Sequence, residues 1–256
     1  MTFSRIVDFP PLVFALSLIA LWISAWIGTS FRKRRNLDEY EREDFRVVLS
    51  AVLTLLGLII GFSFSMAVSR YDQRNAYEQA EASAVATEYV RADLLPGGDA
   101  ARVIALLRNY LDQRLLFYKI RDEHQLQQID AHTAQLEREL WSAVRVPAAA
   151  QPTPLTTLAV SGMNDVLNSQ GYTQAAWLNR IPIAAWCLMA VIAICCNVLI
   201  GYATRSITRQ AILFVVLPLI VSISFFLIAD IDSPRGGVIR VSPQNLVSLS
   251  QSLHTP

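Results

Sequence analysis

Four stretches of this chain are apolar almost without interruption, and the segments between them are amphipathic or polar. Residues 10–30 (PPLVFALSLIALWISAWIGTS), 47–68 (VVLSAVLTLLGLIIGFSFSMAV), 182–203 (PIAAWCLMAVIAICCNVLIGYA) and 211–229 (AILFVVLPLIVSISFFLIA) contain no Asp, Glu, Lys, Arg or His. Each reaches the ~20 residues that cross about 30 Å of hydrocarbon at about 1.5 Å per residue. The pattern predicts four membrane helices. The second has no Gly or Pro at its end, and the Ala- and Glu-rich 76–93 (AYEQAEASAVATEYVRAD) predicts that it continues as a helix into water.

The stretch 95–98 (LPGG) stops that helix. Asp99 is the expected cap of the next, near 100–120, where Val103, Leu106, Leu107, Tyr110, Leu111, Leu115 and Tyr118 recur at the spacing of one buried stripe. A further helix is expected over about 122–144. The Pro/Ala-rich 146–154 (VPAAAQPTP) reads as a loop, and LTTLAVSGMNDVLNSQ after it as helical again. Pro182 suits the first position of the third span, and Ser242-Pro243 suits the opening of a short terminal helix. The reading is all-α: membrane helices 1 and 2 in 1–69, a helical extramembrane domain in 70–181, membrane helices 3 and 4 in 182–229, and a tail with a short helix in 230–256.

Composition agrees: of 256 residues, 53% are hydrophobic and 17% charged, and the apolar excess lies in the four runs. The basic cluster Arg32-Lys33-Arg34-Arg35 makes the first run a stop-transfer anchor rather than a cleaved signal. Cys187, Cys195 and Cys196 all fall in the third span, where they read as small packing residues. A net charge of +1 gives no case for nucleic acid. Phosphate-loop, nucleophile-elbow and zinc motifs are missing from the sequence, so no enzyme, cofactor or metal is indicated. His124 and His132 lack a third ligand at usable spacing.

Positive charge near the spans decides orientation. Arg32, Lys33, Arg34, Arg35, Arg42, Arg46, Arg205 and Arg209 lie on the side of the two short connections. Arg5, Arg70, Arg74, Arg180, Arg235 and Arg240 lie on the side of the helical domain and both termini. In a bacterial inner membrane this count puts the domain and termini in the periplasm.

Beneath its hydrophobicity the second span has another pattern. Thr54, Gly57, Gly61, Ser65, Val68 and Asp72 fall within about 80° of one helical face at 100° per residue. Gly57-xxx-Gly61 and Gly61-xxx-Ser65 are spacings that let helix backbones approach closely, so packing is one meaning of the stripe. The other is a pore lining, in which hydroxyls solvate an ion and Phe62 or Leu58 forms a constriction.

The segments GFSFSMAVSRYDQR, YVRADLLP and IADIDSPRGGVIRVSP resemble, over nearly the full length, a bacterial family labelled "bestrophin-like domain", of unknown function. More distantly, residues 61–72 resemble the neck helix of bestrophin anion channels. That resemblance implies a pentamer whose second helices line a constricted neck, with rings at Phe62, Leu58 and Thr54. Gly61, Ser65, Ser69 and Asp72 would line the path and Arg70 would favour anions at its mouth. Thr54 departs from the apolar ring pattern. The bestrophin calcium clasp has no match here, so calcium gating is not implied. The resemblance also places the helical domain in the cytosol, against the charge count.

At the end of the fourth span, Asp230 and Asp232 precede Arg235, Gly236 and Gly237. Two carboxylates at this spacing do not make a cation site alone; pairing with Arg235 or Arg240, or capping a turn at the membrane edge, is the expected role. The expected function is a homo-oligomeric channel in the lipid bilayer passing small inorganic ions, which the resemblance implies are anions. The alternative is a non-conducting scaffold or sensor whose helical domain binds a partner.

Overall fold

A computed structural model describes residues 7–32, 39–203 and 211–254. Among them the chain is all-α: α1 (Pro10–Arg32), α2 (Glu39–Arg91), a 3-10 turn (Ala92–Leu94), α3 (Gly97–Lys119), α4 (Glu123–Ala150), α5 (Pro154–Leu178), α6 (Ile183–Ala203), α7 (Ala211–Asp232) and α8 (Gln244–His254). The four expected apolar runs all lie on helices long and apolar enough to cross a membrane. The second is one unbroken helix of 53 residues. Lys33, Arg34, Arg35, Arg205, Arg209 and Arg5, on which the orientation count leans, lie outside the described residues.

Four boundaries differ from expectation. The cap of α3 is Pro96 rather than Asp99: its carbonyl accepts from Asp99 N at 2.9 Å and Ala100 N at 3.0 Å, so Gly97 and Gly98 are already helical. The expected loop at 146–154 shrinks to residues 151–153, because α4 runs through Pro147 to Ala150. Pro147 lacks an N–H to donate, but its carbonyl still accepts from Gln151 N at 2.9 Å and its ring is buried. The next helix opens on a capping box, in which Thr153 Oγ1 accepts from Thr156 N at 3.1 Å and Thr156 Oγ1 accepts from Thr153 N at 3.0 Å. Likewise Pro182 and Pro243 each directly precede α6 and α8 instead of forming their first helical residue.

The chain divides into two compact units, residues 1–71 with 180–240 and residues 72–179 with 241–256. In the first, Leu21, Leu56, Ala67, Met189, Ala193, Phe225 and Ile228 form a core among α1, the first part of α2, α6 and α7. A close backbone approach joins α1 to α6. A Cβ on Gly28 would overlap the Val198 carbonyl, and one on Gly201 would overlap that of Ala25. The span on α2 is the least covered: 11% of its most apolar window is buried within the chain, against 44% for α7.

In the second unit, Val85 of α2 joins Val103, Leu107 and Tyr110 of α3, Leu136, Leu140 and Val144 of α4, and Ala159, Met163 and Val166 of α5. Phe117, Tyr118 and Trp177 close one end as an aromatic cluster with ring centroids 5.0–5.5 Å apart. This unit also buries charge. The Arg114 guanidinium, fully buried, pairs with Glu81 and stands 4.5 Å over the Phe117 ring, while Thr173 Oγ1 donates to Glu81 Oε2 at 3.0 Å. Glu78 accepts from Leu246 N at 3.0 Å and Asn245 Nδ2 at 2.6 Å, fixing the first turn of α8 by a carboxylate at the positive end of the helix.

The α1–α6 crossing depends on the absence of side chains. Gly201→Val should cost at least the ~1–3 kcal/mol of ordinary overpacking, read as a lowered unfolding temperature and poor recovery in detergent. Gly57→Ala, with nothing within 4 Å of its Cβ position, should leave the protomer's own fold unchanged.

Candidate functional site

The exposed face of α2 is the candidate site. Leu56, Ser63, Ala67, Arg74, Glu78, Glu81, Val85 and Glu88 are buried and form a seam along one side of the helix. On the opposite side Thr54, Gly57, Leu58, Gly61, Phe62, Ser65, Ser69 and Asp72 are all exposed; Leu58 and Phe62 keep 52% and 64% of their surface. Neither Gly57 nor Gly61 has any atom within 4 Å of a built Cβ. Among the described residues the two glycines of this stripe therefore pack against no other helix. Thr54 Oγ1 folds back to donate to Ser50 O at 2.9 Å, so its hydroxyl is satisfied locally.

Arg70 departs from the expected lining. It lies roughly 160° around the helix from Thr54 at 100° per residue. Its side chain is 14% exposed, and Nη1 stands 3.9 Å from Asp232 Oδ1. The reason is local: Asp232 is fully buried at the end of α7, and Arg70 is the cation that its seam position brings to it. Asp72, two residues on, remains on the exposed face.

The membrane-edge motif is a set of carboxylates holding backbone. Asp230, buried, accepts from Val238 N and Ile239 N, each at 2.8 Å, and so folds the 233–239 turn back over the end of α7. Asp232 accepts from Ile181 N at 3.1 and 3.2 Å to its two oxygens, fixing the entry to α6. Ser233 Oγ accepts from Gly236 N at 3.1 Å. Arg180 pairs with Asp8. Both glycines are required by close approach, since a Cβ would overlap the Asp8 carbonyl at Gly236 and the Asp230 carbonyl at Gly237. The expected turn cap is present in the Asp230 contacts. His124 and His132 are exposed on α4. Arg91 lies beside Gly162 and Glu88.

The bestrophin-like domain matches residues 14–246. The chain belongs to this family. Among solved structures it is similar to a bacterial bestrophin homologue from Klebsiella pneumoniae, at 15% identity over 94% of each chain with a TM-score of 0.62. Two point variants of a bacterial bestrophin homologue from the same organism match at 12% and 14% identity, TM-scores 0.67 and 0.64, covering 94% and 95% of this chain and 95% and 97% of theirs. No curated protein matches. The all-α architecture is thus the bestrophin fold, and this bestrophin-like chain is a membrane protein.

Sequence reasoning missed the buried glutamates of the bestrophin-like chain. Glu78, Glu81 and Glu88 recur at spacings of three and seven in a stretch that reads as a solvated helix. Their signal was the apolar residues sharing their face, Ala82, Val85 and Ala92, all buried. Removing the Asp230 carboxylate strands two N–H donors. Asp230→Ala is expected to cost on the order of 3 kcal/mol and to expose the 233–240 turn to protease, with Asp230→Asn costing less; limited proteolysis alongside thermal unfolding checks both.

Proposed function

We propose that this bestrophin-like protein assembles with further copies of itself around an axis and passes small ions along a path lined by α2. The observation that carries the reading is the exposed stripe of Thr54, Gly57, Gly61, Ser65 and Ser69 on a membrane-length helix, with no atom of the described residues within 4 Å of a Cβ built on either glycine. Four spans enclose little space, so a path needs several copies, and symmetric closure supplies it. Phe62 and Leu58 form the constriction, with Thr54 as a polar ring beyond them, and Gly61, Ser65 and Ser69 leave room and hydroxyls for an ion.

One observation changes the expected selectivity. Arg70 faces Asp232 and is withdrawn from the stripe, whereas Asp72 is exposed on it. Rings of carboxylates select cations, so the reading favours cations over anions. Asp230, Asp232, Gly236 and Gly237 then hold the ends of α6 and α7 in place, with Arg235 exposed to modest degree beside them. Topology follows the family resemblance, with the 70–181 region in the cytosol; a reporter fused to the C-terminus should then be active inside the cell, and periplasmic activity would restore the charge-count orientation.

Purified protein in planar bilayers tests the conduction reading. Currents should appear, Phe62→Ala and Leu58→Ala should raise them several-fold, and the reversal potential in a salt gradient should be cation-directed and weakened by Asp72→Asn. Absence of current, or a strict monomer in detergent, favours the second reading, in which the stripe packs against another protein and the helical unit is a scaffold.

A further inference from the structure

Glu88 is the one fully buried carboxylate of the second unit with neither oxygen hydrogen-bonded among the described residues. Glu78 and Glu81 lie on the same seam of α2, and each has donors. Glu88 instead lies directly on the backbone of α5. A Cβ on Gly162 would overlap Glu88 Oε2 and would stand 2.7 Å from Arg91 Nη1, so the glycine makes room for the carboxyl. The charged groups that face Glu88 are Arg91 from its own helix and Asp165 from α5.

An ionised carboxylate without donors is costly in such a place, whereas a neutral one is tolerated. We propose that Glu88 and Gly162 form a proton-operated clamp: the α2–α5 crossing is closed and dry while the Glu88 carboxyl holds its proton, and opening to water releases that proton to solvent. Burial, first, and the Asp165 charge push the Glu88 pKa up to about 8 from the ordinary 4.5, against the opposing pull of Arg91. The group lies beyond the apolar run, which ends at Val68.

The sign follows from proton counting. Between pH 4.5 and about 8 the closed crossing binds a proton that the open one has lost, so opening becomes about tenfold easier per pH unit. Above about 8 both forms are ionised and the dependence levels off. The clamp is therefore tightest in acid and loosens through neutrality. It concerns the helical unit alone and does not depend on whether α2 conducts.

Hydrogen exchange of the full chain in detergent, corrected for the intrinsic pH dependence of exchange, tests this at residues 84–91 of α2 and 159–166 of α5. Protection should fall about tenfold per unit from pH 5 to 8 and then plateau. Glu88→Gln, which mimics the neutral form, should hold the crossing closed at every pH. Asp165 is exposed, so Asp165→Asn keeps the fold and should bring the plateau in at lower pH, while Arg91→Gln should delay it. Wild-type protection that is flat from pH 5 to 8 would overturn the proposal, as would an unchanged slope in Glu88→Gln or an unmoved plateau in Asp165→Asn.

Discussion

Of the five carboxylates buried among the described residues, all but Glu88 are given donors, and much of the architecture follows from where those donors are found. Asp232 takes the first N–H of the entry to α6 and faces Arg70. Asp230 takes two N–H groups of the following turn. Glu81 takes Arg114 and Thr173, which joins α2 to α3 and α5, and Glu78 takes the opening turn of α8. Removing one partner of such a contact leaves the other desolvated and alone, which costs more than the contact contributes. Each carboxylate thus fixes a segment that apolar packing alone would leave free to slide.

The same constraint sorts the sides of α2. A helix that crosses hydrocarbon and then continues into a charged region has to place its acids and bases somewhere, and here the seam takes Arg70, Arg74, Glu78, Glu81 and Glu88. What is left on the opposite side is a run of small and polar residues, Thr54, Gly57, Gly61, Ser65, Ser69 and Asp72, interrupted by the large apolar Leu58 and Phe62. With Arg70 withdrawn to meet Asp232, the exposed charge that follows Ser65 and Ser69 on that side is Asp72. Glu88 breaks the pattern, since Gly162 gives it space but no donor.

The membrane-length helices were legible because hydrophobicity over twenty residues is a strong and local signal. The continuity of α2 was legible for the same reason, as no residue from 47 to 91 interrupts it. Local chemistry misled at Asp99 and at 146–154: Pro96 captured the cap with its carbonyl, and burial of the Pro147 ring extended a helix that a proline was expected to end. Periodicity gives a residue's face but not what that face meets. The glycines at 57 and 61, with the familiar packing spacing, meet no other helix among the described residues, while Gly28, Gly162 and Gly201, in no motif, sit where helices meet. Arg70 shows the same limit, because its partner lies 162 residues away in sequence and only the folded chain brings it close.

The account depends on what the exposed stripe of α2 meets in the membrane. Single cysteines at Thr54, Gly61 and Ser65, in a background with Cys187, Cys195 and Cys196 replaced by alanine, can be probed in proteoliposomes with a membrane-impermeant thiol reagent. All three should react, and Ser63→Cys on the buried seam should not. Protection of the stripe positions to the same degree as Ser63→Cys would contradict a water-filled path along α2.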